Sequence, residues 1–166
     1  MQIETERKFL IMYPDIDILL LQNGIEKKKI FQTYLLSEKG ITDRVRKVLC
    51  FGKEEFIRTQ KRRISSVSCF EDEKSITKAE YEKLLEKADK SLSTIVKERY
   101  AFPYKNHTVE IDIYPFWNDR AVLEIELKEE SETFVIPEFV SVIKEVTDDK
   151  RYKNVSLARV IPNDNI

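Results

Sequence analysis

Eight segments of this chain alternate side-chain character with a period of two, and charge collects on one face of them. Period two is the repeat of an extended strand, whose successive side chains point to opposite sides of a sheet. In 107–114, Val109, Ile111 and Ile113 alternate with Glu110, Asp112 and Tyr114; in 121–130, Leu123, Ile125 and Leu127 alternate with Glu124, Glu126 and Lys128. One such strand is the ordinary wall of a half-solvated sheet. The habit recurs, however, at Glu4, Glu6 and Lys8, at Arg44 and Arg46, at Thr59 and Lys61, at Glu71 and Glu73, and at Lys97 and Arg99. Six basic and eight acidic side chains would therefore share one side of one sheet.

The strands are expected at about 2–11, 27–36, 42–51, 54–63, 66–74, 93–102, 107–114 and 121–130, and short links such as Phe51-Gly52-Lys53 and Tyr104-Lys105-Asn106 predict antiparallel neighbours. "ITKAEYEKLLEKADK" places Ile76, Ala79, Leu84 and Ala88 at helical spacing with Thr77 as N-cap, so 76–89 reads as a helix. Asp15–Gln22, Glu138–Val146 and Asp149–Val160 read as further helices. A sheet of eight antiparallel strands curls, and closure removes its unpaired edges. The helices need an apolar surface, and the aliphatic face of the sheet is the only large one available. The charged face must then point inward, and a lumen lined by fourteen charges cannot be a dry core. The expected fold is α+β: an eight-stranded antiparallel β-barrel forming a hydrated tunnel with a charged lumen, helices packed on its outside, and one domain spanning 1–166.

Composition narrows the partners. Charged residues are 36% of the chain yet cancel to a net charge of −1, so the overall field favours neither nucleic acid nor an anionic membrane. The apolar run Ile16–Leu21 is far short of the ~20 residues of a membrane span and lacks a signal-peptide layout, which points to a cytoplasmic protein. Cys50 and Cys69 read as free thiols, and a lone His107, read as an exposed turn residue, argues against Ser-His-Asp catalysis and multi-histidine zinc sites. Lys27-Lys28-Lys29 lacks interleaved aromatics and reads as a solvated strand end. Trp117, beside Pro115 and Phe116, reads as a packing residue, and an exposed edge there leaves a homodimer open.

Six Lys and Arg groups converging on one cavity suit a polyanion, and the arginine fork matches phosphate oxygens. Carboxylates in the same cavity would repel that ligand unless a hard divalent cation such as Mg²⁺ or Mn²⁺ lay between them. The lumen thus reads as a site for a metal-bound chain of phosphates and for phosphoryl transfer, in which positioning and charge neutralisation dominate. No G-x-x-x-x-G-K-[ST] pattern is present, which excludes a P-loop enzyme.

The ordered set Glu4-x-Glu6-x-Lys8, Gln32-x-Tyr34-Leu35, Arg44-x-Arg46, Thr59-x-Lys61, Glu71-x-Glu73, Lys97-x-Arg99-Tyr100, Glu110-x-Asp112 and Glu124-x-Glu126, with the closing "EVTDDKRYKNVSLA", resembles the CYTH superfamily of triphosphate tunnel metalloenzymes. The resemblance runs from Ile3 to about Ala158. It implies hydrolysis or cyclisation of a triphosphate with Mg²⁺ or Mn²⁺, and among such activities the compact chain and its tail favour an inorganic tripolyphosphatase. Alternatives are a class IV adenylyl cyclase or a thiamine triphosphatase, and, from another class, a non-catalytic polyphosphate- or nucleotide-binding module. Carried over by position, Lys8, Arg44, Arg46, Lys61, Lys97 and Arg99 grip the phosphates, with Tyr34 at one tunnel end and Lys150 and Arg151 reaching a mouth. Glu4, Glu6, Glu124 and Glu126 are the principal metal ligands implied, with Glu110 and Asp112 as further ones; Glu71, Glu73, Asp112 and Lys97 fall to the chemical step. Two positions depart from the pattern: Cys69 stands where the family often has Arg, and Asp72 lies between Glu71 and Glu73 where an apolar residue would suit an outward face.

Overall fold

The structure, a computed structural model, describes residues 2–166. Its elements are β1 (Gln2–Met12), α1 (Ile16–Leu20), β2 (Glu26–Tyr34), β3 (Ile41–Cys50), β4 (Lys53–Arg63), β5 (Ser68–Ser75), α2 (Lys78–Leu85), β6 (Ile95–Tyr104), β7 (His107–Ile113), β8 (Arg120–Leu127), β9 (Val142–Glu145), a 3-10 turn (Lys150–Tyr152) and α3 (Asn154–Leu157). The strands form one antiparallel sheet in the order β5-β4-β3-β2-β6-β7-β8-β1-β9, and a further β1–β5 pairing closes the first eight into a barrel. All eight expected strands are present within three residues of their expected ends. The β3–β4 hairpin turns on Phe51-Gly52, both at positive φ, the conformation that two-residue hairpin turns require and that glycine adopts without strain.

The ninth strand corrects the expected helix at Glu138–Val146. Closure engages only Gln2–Thr5 of β1 with β5, which leaves the rest of that edge without partners. Glu6 N donates to Val67 O, Thr147 Oγ1 and Val146 N meet the backbone of Lys8, and β9 pairs with Phe9–Ile11, so every stretch of the edge is bonded. The expected helix at Asp149–Val160 shortens to the 3-10 turn and the four-residue α3.

Odd-numbered positions of β1 and β7 and of the C-terminal half of β8 point outward into a core of Phe9, Ile11, Val109, Ile111, Leu123 and Ile125, among others. Much of its cover is irregular chain: Phe134, Ile136, Phe139 and Val140 pack there together with Leu19 of α1. α2, held by a Thr77–Glu80 capping box, covers only a smaller patch through Tyr81 against Leu35 and Val45. Helices on the outside are therefore a minor part of the shell. Two further expectations change. His107 is tucked in, with Nε2 3.2 Å from Glu132 Oε1, and Trp117 is buried against Tyr114, Phe116 and Tyr152, so no exposed edge exists at that residue.

Inside the barrel, the inward alternation of β1 and β8 continues past Lys8 and Glu124 into Leu10 and Val122. These two pack with Tyr34, Tyr114, Tyr152 and Leu157, an apolar stopper that fills one end of the lumen.

Candidate active site

The remaining lumen is a cavity of about 680 Å³ lined by the inward faces of the strands. Cross-strand register sets its walls: Glu6 stands opposite Glu126, Lys8 opposite Glu124, Glu124 opposite Glu110, Lys61 opposite Glu71, and Thr59 opposite both Arg44 and Glu73. Closure at β1–β5 brings Glu4 opposite Cys69. Charged residues thus face one another across most strand pairs of the barrel.

Two ion clusters result. On β1, β6, β7 and β8, Arg99 donates to Asp112 at 2.6 and 2.7 Å and to Glu124 at 3.1 Å, and also pairs with Glu110. Lys97 donates to Asp112, while Lys8 Nζ lies 2.8 Å from Glu124 and 3.7 Å from Glu6. On β1, β3, β4 and β5, Lys61 bridges Glu4 and, at 2.7 Å, Glu71; Arg46 donates to Glu73 at 2.5 Å, and Cys69 Sγ lies 3.3 Å from Glu4 Oε2.

Burial alone would raise the carboxyl of Glu124, but Lys8, Arg99 and Lys97 outweigh it and hold the group well below the usual range. Glu6 goes the other way: burial, then the neighbouring charge of Glu124, pushes it up. Desolvation followed by repulsion from Glu110 and Glu4 raises Glu126, and Glu110 is raised by burial with Glu124 and Asp112 adding to it. Lys97 is lowered to about 8 by burial and then by Arg99. Cys69, raised to about 11 by burial and by Glu4, is a neutral thiol at neutral pH.

Both unmet demands of this wall concern ions. Arg44 Nε and Arg46 Nε are buried without an acceptor among the described residues, donors that an incoming phosphate would satisfy. The excess negative charge around Glu6, Glu110 and Glu126 would be relieved by a hard divalent cation on their oxygens. No three carboxylates among the described residues converge on one point as they stand, because Lys8, Lys61 and Arg99 take their oxygens. The donor set fits a metal that competes with those amines.

No protein-family model matches the sequence, and no curated protein matches it. Among solved structures, the chain is similar to the inorganic triphosphatase NE1496, with 27% identity over 98% of each chain and a TM-score of 0.58. This likeness supports the CYTH resemblance read from the sequence. The PH1819 protein from Pyrococcus horikoshii OT3 (18% identity, 76% of this chain and 80% of that one, TM-score 0.58) shares the fold. So does the putative adenylyl cyclase HpAC1 from Hippeastrum, described as having a dominant triphosphatase activity (16%, 76% and 80%, TM-score 0.52).

Of the residues that the CYTH pattern singles out, Glu4, Glu6, Lys8, Tyr34, Arg44, Arg46, Lys61, Glu71, Glu73, Lys97, Arg99, Glu110, Glu124 and Glu126 line the cavity. Asp112 does not. It is fully buried behind Lys97 and Arg99, so as it stands it orients two cations and faces neither metal nor water. Lys150 is also off the wall, exposed on the 3-10 turn, and Arg151 is engaged by Asp149 and Asp164; Lys153 reaches the cavity in their place. Cys69 faces inward, as the CYTH match places it, and Asp72 lies on the alternate face of β5. Sequence reasoning also missed Lys28 and Arg63, which line the cavity although their parity with Tyr34 and Lys61 was legible.

Proposed function

We propose that the protein hydrolyses a linear triphosphate in this cavity, with inorganic tripolyphosphate as the substrate and Mg²⁺ or Mn²⁺ as the cofactor. The observation that carries the reading is the pair of acceptorless donors, Arg44 Nε and Arg46 Nε, in a wall that also presents Lys8, Lys61, Lys97 and Arg99. These cations would neutralise the phosphate chain along its length. Glu4, Glu6, Glu124 and Glu126 would hold the metal, with Glu110 nearby; Glu126, which has no ion-pair partner among the described residues, offers the most accessible oxygens. When bound, the metal supplies charge neutralisation and polarises phosphoryl oxygens. Glu71 and Glu73, on β5 beside β1, would take a proton from the attacking water, and Lys97, titrating near 8, would return one to the departing phosphate oxygen. The free thiols Cys50 and Cys69 suit a reducing, cytosolic setting, and no described helix is long and apolar enough to cross a membrane.

A second reading rests on Ile30, Val48 and Ile57, which interrupt the charged wall on three adjacent strands. An aliphatic stretch does nothing for an inorganic anion but would accept the organic end of a nucleoside or thiamine triphosphate. The two readings separate in one experiment: orthophosphate release from tripolyphosphate, ATP and thiamine triphosphate, with cyclic AMP measured in parallel. We expect tripolyphosphate to be turned over fastest, and EDTA to abolish release. Faster turnover of ATP or thiamine triphosphate would favour the second reading, and no turnover of any of them would leave only a binding module.

A further inference from the structure

One ammonium of the lumen is shared between two carboxylates. Lys61 points inward from β4, opposite Glu71 on β5, and its Nζ also pairs with Glu4 on β1, across the seam where the barrel closes. The amine satisfies its partners unevenly. Glu71 Oε2 is buried and takes no hydrogen bond although Nζ lies 2.7 Å away, so that contact is an ion pair poorly aimed for hydrogen bonding. Glu4 Oε2 accepts from both Lys61 Nζ and Cys69 Sγ.

Other cations of the lumen are fixed more firmly. Arg99 contacts Asp112, Glu110 and Glu124, and the side chains of Lys97 and Lys8 are 2% and 11% exposed. That of Lys61 is 20% exposed, a compact charge on a flexible four-carbon stem that lines the cavity. Two carboxylates and one ammonium leave this part of the wall negative. With a divalent cation on Glu4 the sign reverses, and the ammonium is repelled from its carboxylate and left for an anion.

We propose that Lys61 is an exchangeable counter-ion, which neutralises Glu4 and Glu71 in this structure and turns to a phosphate oxygen when a divalent cation takes Glu4. The inference rests on the metal-dependent triphosphate reading above and adds how the two ligands are coupled. Each draws one member of the Glu4–Lys61 pair to itself and frees the other member for its co-ligand, so cation and triphosphate raise one another's affinity reciprocally.

The test measures Mn²⁺ binding by calorimetry, without any phosphate, to wild-type protein, Lys61→Met, Lys61→Arg and Lys28→Met. Lys28 lines the same cavity but pairs with Glu26, so its variant controls for the loss of one positive charge. Lys61→Met is expected to bind Mn²⁺ about 5-fold tighter than the wild type or more, with Lys28→Met close to the wild type. Lys61→Arg, whose fork can hold a carboxylate through two hydrogen bonds, should bind it no tighter than the wild type. Tripolyphosphate titrated without metal should show the opposite order, bound more weakly by Lys61→Met than by the wild type. A measurement on wild-type protein covers a variant that fails to fold: Mg²⁺ alone should shift the side-chain nitrogen NMR signal of Lys61 and leave that of Lys28 in place. Equal Mn²⁺ affinity in Lys61→Met and wild type, equal gains in Lys61→Met and Lys28→Met, or an unmoved Lys61 signal would overturn the exchange and leave the metal and triphosphate readings standing. No Mn²⁺ binding to any of the four proteins would overturn the exchange together with the cofactor. Protein that shows the exchange but never releases phosphate would uphold it and overturn the enzymatic reading alone.

Discussion

Protein carrying Glu4→Gln and Glu6→Gln together is expected to lose tripolyphosphate hydrolysis by about 100- to 1000-fold, the several kcal/mol that a metal contributes to a phosphoryl transition state, while folding as well as the wild type. The amide has the shape of the carboxyl, and Lys61, which bridges Glu4 and Glu71, keeps Glu71 at 2.7 Å. Glu6 is already pushed above the usual carboxylate range by burial and by Glu124, so neutralising it removes a repulsion. An unchanged or slightly higher melting temperature alongside lost phosphate release is therefore the signature of a metal ligand. A structural carboxylate would give the reverse, with lower stability and activity falling only as far as the folded fraction does. Equal activity in the variant would remove Glu4 and Glu6 from the metal site.

Asp112→Ala should produce the largest loss of stability. Asp112 is 0% exposed and holds Lys97, itself 2% exposed, together with Arg99. Removing one member of a buried ionic group leaves the other charges uncompensated, which costs about 3–5 kcal/mol. For a chain of this length that corresponds to a drop in melting temperature on the order of 10 °C. Thermal and denaturant unfolding would measure it. A shift near zero would mean that Glu124 alone suffices for both cations and that Asp112 is not their anchor.

The contrast between these two sites marks how far the sequence could be read. Strand parity placed the charges because the period of a strand is fixed by its backbone, and one interior that needs ions forces the charged faces to agree. Parity does not say which carboxylate sits in front. Asp112 and Glu110 share a face, yet Arg99 and Lys97 close over the first and leave the second on the wall, an outcome of side-chain packing among strands distant in sequence. The C-terminal third was least legible. Val142–Glu145 is a strand because β1 has an unmatched edge, a fact of the closed barrel that no local spacing records. The step from Lys150 to Lys153 depends on where a 3-10 turn gives way to α3. The stopper of Leu10, Tyr34, Tyr114 and Val122 was visible as apolar residues at inward positions, but a reading built on charge alone passes over them.

The cavity wall, as proposed above, is a receptor for a chain of phosphates. Equilibrium titration of tripolyphosphate, by calorimetry and without divalent metal, into wild-type and Arg44→Gln/Arg46→Gln protein tests it most directly. Both guanidiniums hold a buried N–H that has no acceptor among the described residues. One tripolyphosphate is expected to bind per chain, with an affinity that falls with added salt and drops at least about 100-fold in the double variant, the loss of two charge-assisted contacts. Equal affinity in the two proteins, or no binding to the wild type, would contradict it.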